Sequence, residues 1–156
     1  MLKILYLHGL ESKQGGAKVN YLSANHCLHA PAMKYFEPNL TERTVSLFQN
    51  FKPDVIIGSS MGGYIANELS HKFNTPAILL NPALIDPPQR VSINDELNKI
   101  SDNLIVIVLG KLDSVLPYES ILDYLQKSNC SNLDIREYGH RTPLHEFIDI
   151  CEKYLT

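Results

Sequence analysis

The most informative segment of the sequence is Val55-Ile56-Ile57-Gly58-Ser59-Ser60-Met61-Gly62-Gly63. Three branched apolar residues suit a strand buried on both faces of a parallel sheet. The glycine-spaced serine that follows is a G-x-S-x-G pattern, and Ser60 alone fits its centre. Framing on Ser59 would need glycines at positions 57 and 61, which are Ile57 and Met61. After it, Ile65, Leu69 and Phe73 fall on one helical face. A strand that turns sharply into a helix holds its central serine in a strained backbone conformation with the hydroxyl lifted clear of the sheet. Side chains two residues to either side would collide there, so the turn needs Gly58 and Gly62. The helix starting near Met61 directs its positive end toward the serine.

Further short apolar runs lie at Ile4–Leu7, Ala77–Leu80 and Leu104–Leu109. His26–Pro31 is a weaker strand. Leu133–Tyr138, mixed with charge, reads as an edge or near-edge strand. Helical spacing recurs in Leu40, Leu47, Phe48 and Phe51, in Tyr118, Ile121, Leu122 and Leu125, and in Leu144, Phe147, Ile148 and Cys151. Thr142-Pro143 predicts an N-cap followed by proline at the first helical position. Strands alternating with helices predict an α/β fold: a three-layer sandwich around a mostly parallel sheet of about six strands. In such sheets ligands bind beyond the carboxyl ends of the strands. Chemistry is therefore expected in the loops after Leu7, Ile57, Leu80, Leu109 and Tyr138.

The chain has 156 residues, which predicts one domain spanning 1–156. It is 44% hydrophobic and 20% charged with a formal net charge of −3, and no basic stripe points to nucleic acid. Cys27, Cys130 and Cys151 are too scattered for a metal site or a disulfide framework, so free thiols are expected. The first apolar run is short for a signal peptide, and no run approaches a membrane span. The expectation is a cytoplasmic protein with a small-molecule substrate and no cofactor or metal.

A chance G-x-S-x-G in a chain of this length has odds of roughly one in twenty, so Ser60 needs partners before it means chemistry. A serine nucleophile needs a base and a group to orient that base, in the chain order Ser, Asp or Glu, His. His140 follows a strand, in Tyr138-Gly139-His140-Arg141, whereas His145 falls in the first turn of the last helix. For the acid, Asp113 follows the strongest strand, in Leu109-Gly110-Lys111-Leu112-Asp113. Asp86 ranks second and Glu119 third. Two backbone N–H donors are needed for an oxyanion, and Met61 and Leu10 are the candidates, Gly9 allowing the turn before Leu10. His8 adjoins that turn and is read as a residue that orders it.

Strand-His8-Gly9, Gly58-x-Ser60-x-Gly62-Gly63, Gly110-x-x-Asp113 with Pro117, and Gly139-His140 together resemble the α/β-hydrolase superfamily. Within it the chain is similar to the short YqiA-like bacterial esterases. That resemblance implies a carboxylester or thioester hydrolase working through an acyl-enzyme on Ser60, with Asp113 and His140 completing the triad and no large cap. A second reading keeps the fold but makes the chain a catalytically inactive binding or scaffolding protein. Glu11–Gly16 is either a partial cover of the site or a solvated loop, and Pro82–Ser101 either a short helix near its mouth or a surface excursion. Lys111 and Arg141, flanking the acid and the base, either meet an anionic substrate group or are solvated charges.

Overall fold

The computed structural model describes residues 1–94 and 104–156. Among these, the elements in chain order are β1 (Lys3–Leu7), α1 (Ala17–Asn25), β2 (Cys27–His29), α2 (Leu40–Phe51), β3 (Val55–Ser59), α3 (Met61–Phe73), β4 (Ala77–Leu80), β5 (Ile105–Gly110), α4 (Tyr118–Lys127), β6 (Leu133–Arg136) and α5 (Leu144–Tyr154). The strands form one sheet in the order β2-β1-β3-β4-β5-β6, and every neighbouring pair is parallel.

The apolar runs are continuous because both faces of the sheet are covered. Leu5, Leu7, Ile56, Leu79, Ile107 and Leu109 point into one core, closed by α2, α3 and α4. Ile4, Tyr6, Ile57, Ile78, Leu80 and Val108 alternate with them and point into the other, closed by α1 and α5. This is the expected sandwich, with the weak strand (β2) and the charged strand (β6) at the two edges. No large cap stands on it among the described residues.

Two expectations need correction. Thr142 does not cap α5. The helix begins at Leu144, Pro143 takes the N-cap position in an extended conformation, and no side chain caps it. The Thr142 hydroxyl instead turns inward and donates to the Tyr138 hydroxyl at 3.2 Å, because that buried phenol oxygen needs a partner. The buried face of α5 is also shifted, to Phe147, Ile150 and Cys151, with Leu144 exposed at the helix start.

Helix α1 has no counterpart in the sequence reading. Only Leu22 is fully buried, and the surrounding Lys18, Asn20, Ser23 and Asn25 leave no clear apolar stripe. The excursion after β4 runs back over α2 and α3. Val91 and Ile93 are buried, Val91 N–H donates to the Tyr64 hydroxyl, and Asn94 Nδ2 donates to Glu68 at 2.9 Å. The short helix expected within 94–100 lies almost wholly outside the described residues.

The sheet order reverses direction at β1, with β2 on one side and β3 on the other. Crevices for ligands open at such switch points. The loops leaving β1 and β3 meet there: a Cβ on Gly9 would stand 3.4 Å from the Ser60 Cβ.

Candidate active site

Ser60 sits between β3 and α3 with φ 54° and ψ −115°, a conformation few non-glycine residues adopt. Its surroundings hold it there. Ser60 N–H donates to the Leu80 carbonyl at 2.9 Å, and its own carbonyl accepts from the N–H groups of Gly63, Tyr64 and Ala83 at 3.0, 3.1 and 2.9 Å. Such over-determination is what a strained backbone needs to persist.

The flanking glycines are sterically required. A Cβ on Gly58 would lie 2.2 Å from the Gly62 carbonyl oxygen, and one on Gly62 would lie 2.1 Å from the Leu7 carbonyl oxygen. Helix α3 is thus drawn against the ends of β1 and β3 closely enough that backbone touches backbone.

His140 and Asp113 converge on this turn. His140 Nε2 lies 3.1 Å from Ser60 Oγ, and His140 Nδ1 lies 2.8 Å from Asp113 Oδ2. The other carboxylate oxygen, Asp113 Oδ1, accepts from the N–H groups of Val115 and Leu116 at 2.8 and 2.9 Å. With its side chain only 3% exposed, Asp113 is fixed by backbone on one side and presents a single oxygen to the imidazole. A carboxylate facing Nδ1 puts the proton on that nitrogen and leaves Nε2 as the acceptor toward the serine hydroxyl.

The remaining candidates fall elsewhere. Asp86 is largely exposed and pairs with Arg90 at 3.2 Å. Glu119 is exposed in the first turn of α4. His145 is 81% exposed, with Glu146 Oε1 3.8 Å away. Lys111 pairs with Glu137 at 3.4 Å on the surface.

Met61 begins α3, so its N–H has no acceptor within the helix. Leu10 follows the β1 turn, and both residues line the same cleft as Ser60. The turn before Leu10 is braced through His8. His8 Nδ1 lies 2.7 Å from the Gly9 carbonyl, and Met33 N–H donates to His8 Nε2 at 3.0 Å. The neutral ring is therefore protonated at Nδ1. The Tyr35 hydroxyl donates to the His8 carbonyl, and burial pushes this phenol well above its usual range, keeping it a donor.

Asn81 is a residue that sequence reading missed. It is 3% exposed at the end of β4 with φ 42°. Its Oδ1 accepts from Gly110 N–H at 2.6 Å, and its Nδ2 donates to the carbonyls of Gly139 and His140 at 3.1 and 2.9 Å. One amide thus ties β4, the β5 end that leads to Asp113, and the His140 loop. The available signal was an asparagine directly after a fully apolar strand, at the edge where loops gather.

The cleft over Ser60 and His140 has a volume of about 1050 Å³. Glu11, Ser12, Lys13 and Gly15 contribute to its wall, which places the Glu11–Gly16 loop beside the site. Among the described residues there is no group of three His, Cys, Asp or Glu side chains placed to hold a metal ion, and no helix long and apolar enough to cross a membrane. The three thiols are free: Cys27 is exposed, Cys130 and Cys151 are buried, and burial pushes the Cys151 thiol up to about 12.

This architecture is the α/β-hydrolase fold. A Xanthomonas campestris pv. campestris protein assigned to the alpha/beta superfamily of hydrolases superposes with a TM-score of 0.71 at 20% identity, over 97% of this chain and 98% of that one. An alpha/beta hydrolase enzyme from a Mar Chica lagoon sediment metagenome gives 0.62 at 16% identity, over 97% and 87%. The Bacillus cereus carboxylesterase gives 0.58 at 19% identity, over 97% and 86%. Residues 3–104 match the model of an uncharacterised protein family, UPF0227, and the chain belongs to that family, the YqiA-like group the sequence resembles. The matched segment contains Ser60 but ends before Asp113 and His140.

Proposed function

We propose that the protein is a serine hydrolase of carboxylic esters, or of the related thioesters, with Ser60 as nucleophile, His140 as general base and then acid, and Asp113 as the group that orients and charges the base. The observation that carries this reading is the hydrogen-bonded line Ser60 Oγ–His140 Nε2, His140 Nδ1–Asp113 Oδ2, at 3.1 and 2.8 Å, standing at a strained turn beside an open cleft. Each step follows from that line. Ser60 Oγ attacks the acyl carbon as its proton passes to His140 Nε2. The carbonyl oxygen becomes an oxyanion held by the N–H groups of Met61 and Leu10. As the intermediate collapses, the bond to the leaving oxygen or sulfur breaks and His140 returns the proton to it. Water, deprotonated by the same imidazole, then attacks the acyl-enzyme and frees the acid. The carboxylesterase activity named for the Bacillus cereus neighbour is of the same reaction class.

The test is hydrolysis of short p-nitrophenyl esters by the intact protein and by Ser60→Ala. Turnover that falls by at least ~10³-fold in the variant is expected. Unchanged turnover would remove Ser60 from the mechanism. No turnover by the wild-type chain on any ester or thioester offered would favour the binding-protein reading.

A further inference from the structure

We propose, resting on the serine-hydrolase reading, that the substrate's leaving group carries a compact anion, a carboxylate or a phosphate monoester, received by Arg141 and Lys18. The cleft wall holds three cations, Lys13, Lys18 and Arg141, against one carboxylate, Glu11, in a chain whose formal net charge is −3. Several cations elsewhere are matched: Lys111 with Glu137, Lys127 with Asp123, and the largely buried Arg136 with Asp134, Glu146 and Asp149. Lys18 and Arg141 form no ion pair with a carboxylate among the described residues.

Arg141 also stands close enough to disfavour the Lys18 charge. Burial first, and Arg141 second, lower the Lys18 ammonium from its usual range. Lys18 Nζ rests over the Phe147 ring, 5.6 Å from its centroid, so the stem of α1 holds it against the start of α5. Two like charges kept together at a partly desolvated wall are relieved by an anion between them.

Position decides which part of the substrate bears that anion. His140 returns its proton to the leaving atom, so the leaving group departs on the side of His140. Arg141 follows His140 directly, and Lys18 lies over the helix that this loop enters. Ala83, Pro88, Val115 and Leu116 also line the cleft and offer apolar surface to the acyl part. The reaction is ordinary hydrolysis: the acyl carbon–oxygen bond breaks, water supplies the hydroxyl to the acid, and the proton goes to the anionic alcohol or phenol.

The experiment compares kcat/KM for 4-acetoxybenzoate, 4-acetoxyphenyl phosphate and the neutral isostere 4-acetoxybenzamide, using the full chain, Arg141→Gln and Lys18→Met. A preference of at least about tenfold for one of the anionic esters is expected, which added salt reduces. The preferred member of the anionic pair identifies carboxylate or phosphate. Arg141→Gln, at an exposed position, should collapse the preference toward unity, mainly through KM, and Lys18→Met, which keeps the apolar stem, should reduce it. Equal kcat/KM for charged and neutral esters in the wild-type chain, or a preference retained in Arg141→Gln, would overturn the assignment while leaving Ser60 chemistry standing. Failure to hydrolyse any of the three, with no labelling of Ser60 by a fluorophosphonate, would overturn both.

Discussion

Asp113 gives one carboxylate oxygen to the backbone of Val115 and Leu116 and the other to His140 Nδ1 at 2.8 Å. The imidazole therefore meets an acceptor whose direction is set by main chain rather than by a mobile side-chain neighbour. Asp113→Asn would keep the volume but replace an acceptor facing Nδ1–H with an amide that can turn a donor toward it. That favours the wrong tautomer, with Nε2 protonated toward Ser60. Turnover of a p-nitrophenyl ester should fall by about 10³–10⁴-fold with little change in KM, measured by steady-state kinetics.

Asn81 secures the same arrangement from behind. Asn81→Ala would leave Gly110 N–H and the carbonyls of Gly139 and His140 without the side-chain partner they have now. Unpaired buried groups of this kind cost about 1–3 kcal/mol each before relaxation or water entry. The expected outcome is a lower Tm in thermal unfolding together with a loss of kcat larger than any change in KM. A loss of stability with kcat intact would mean that the amide holds the fold but not the His140 loop.

The loop that carries His140 is also anchored by charge. Asp134 on β6 accepts from Arg136, Lys153 and Tyr154, and Arg136 in turn donates to Glu146 and Asp149 of α5. Burial acts to raise the Asp134 carboxyl, but the bonds from Arg136, Tyr154 and Lys153 outweigh it and the net shift is downward. A carboxyl lowered on folding adds stability that is present above its unfolded value, 3.8, and is lost as pH falls through the folded one. Asp134→Asn should therefore lower stability by about 1 kcal/mol at neutral pH, and the gap to wild type should close below pH 3.8. Denaturant titrations at several pH values check this. A gap that is independent of pH would contradict it.

The sheet was readable because its strands are buried on both faces, so Val55–Ile57 and Ala77–Leu80 stand out as unbroken apolar runs. Helix α1 was not, because it presents a single fully buried residue, Leu22, and it packs on α5 and β2 without a clear apolar stripe of its own. Thr142-Pro143 misled for a related reason: a cap is chosen by local sequence, but the Tyr138 hydroxyl, fixed by the fold, took the threonine first. At the site, chain order singled out Ser60, Asp113 and His140, which the fold brings into hydrogen-bond reach of one another. The position of Asn81 after an apolar strand was a signal, but its bracing partners were not legible, since they come from strand ends far apart in sequence.

The proposed mechanism stands or falls on Ser60 as the nucleophile. Peptide mapping by mass spectrometry after treatment with a fluorophosphonate tests it most directly. One covalent adduct is expected, on Ser60, greatly slowed in His140→Ala and lost in Ser60→Ala. An adduct on Ser59 or another residue, or none on a folded chain, would contradict it.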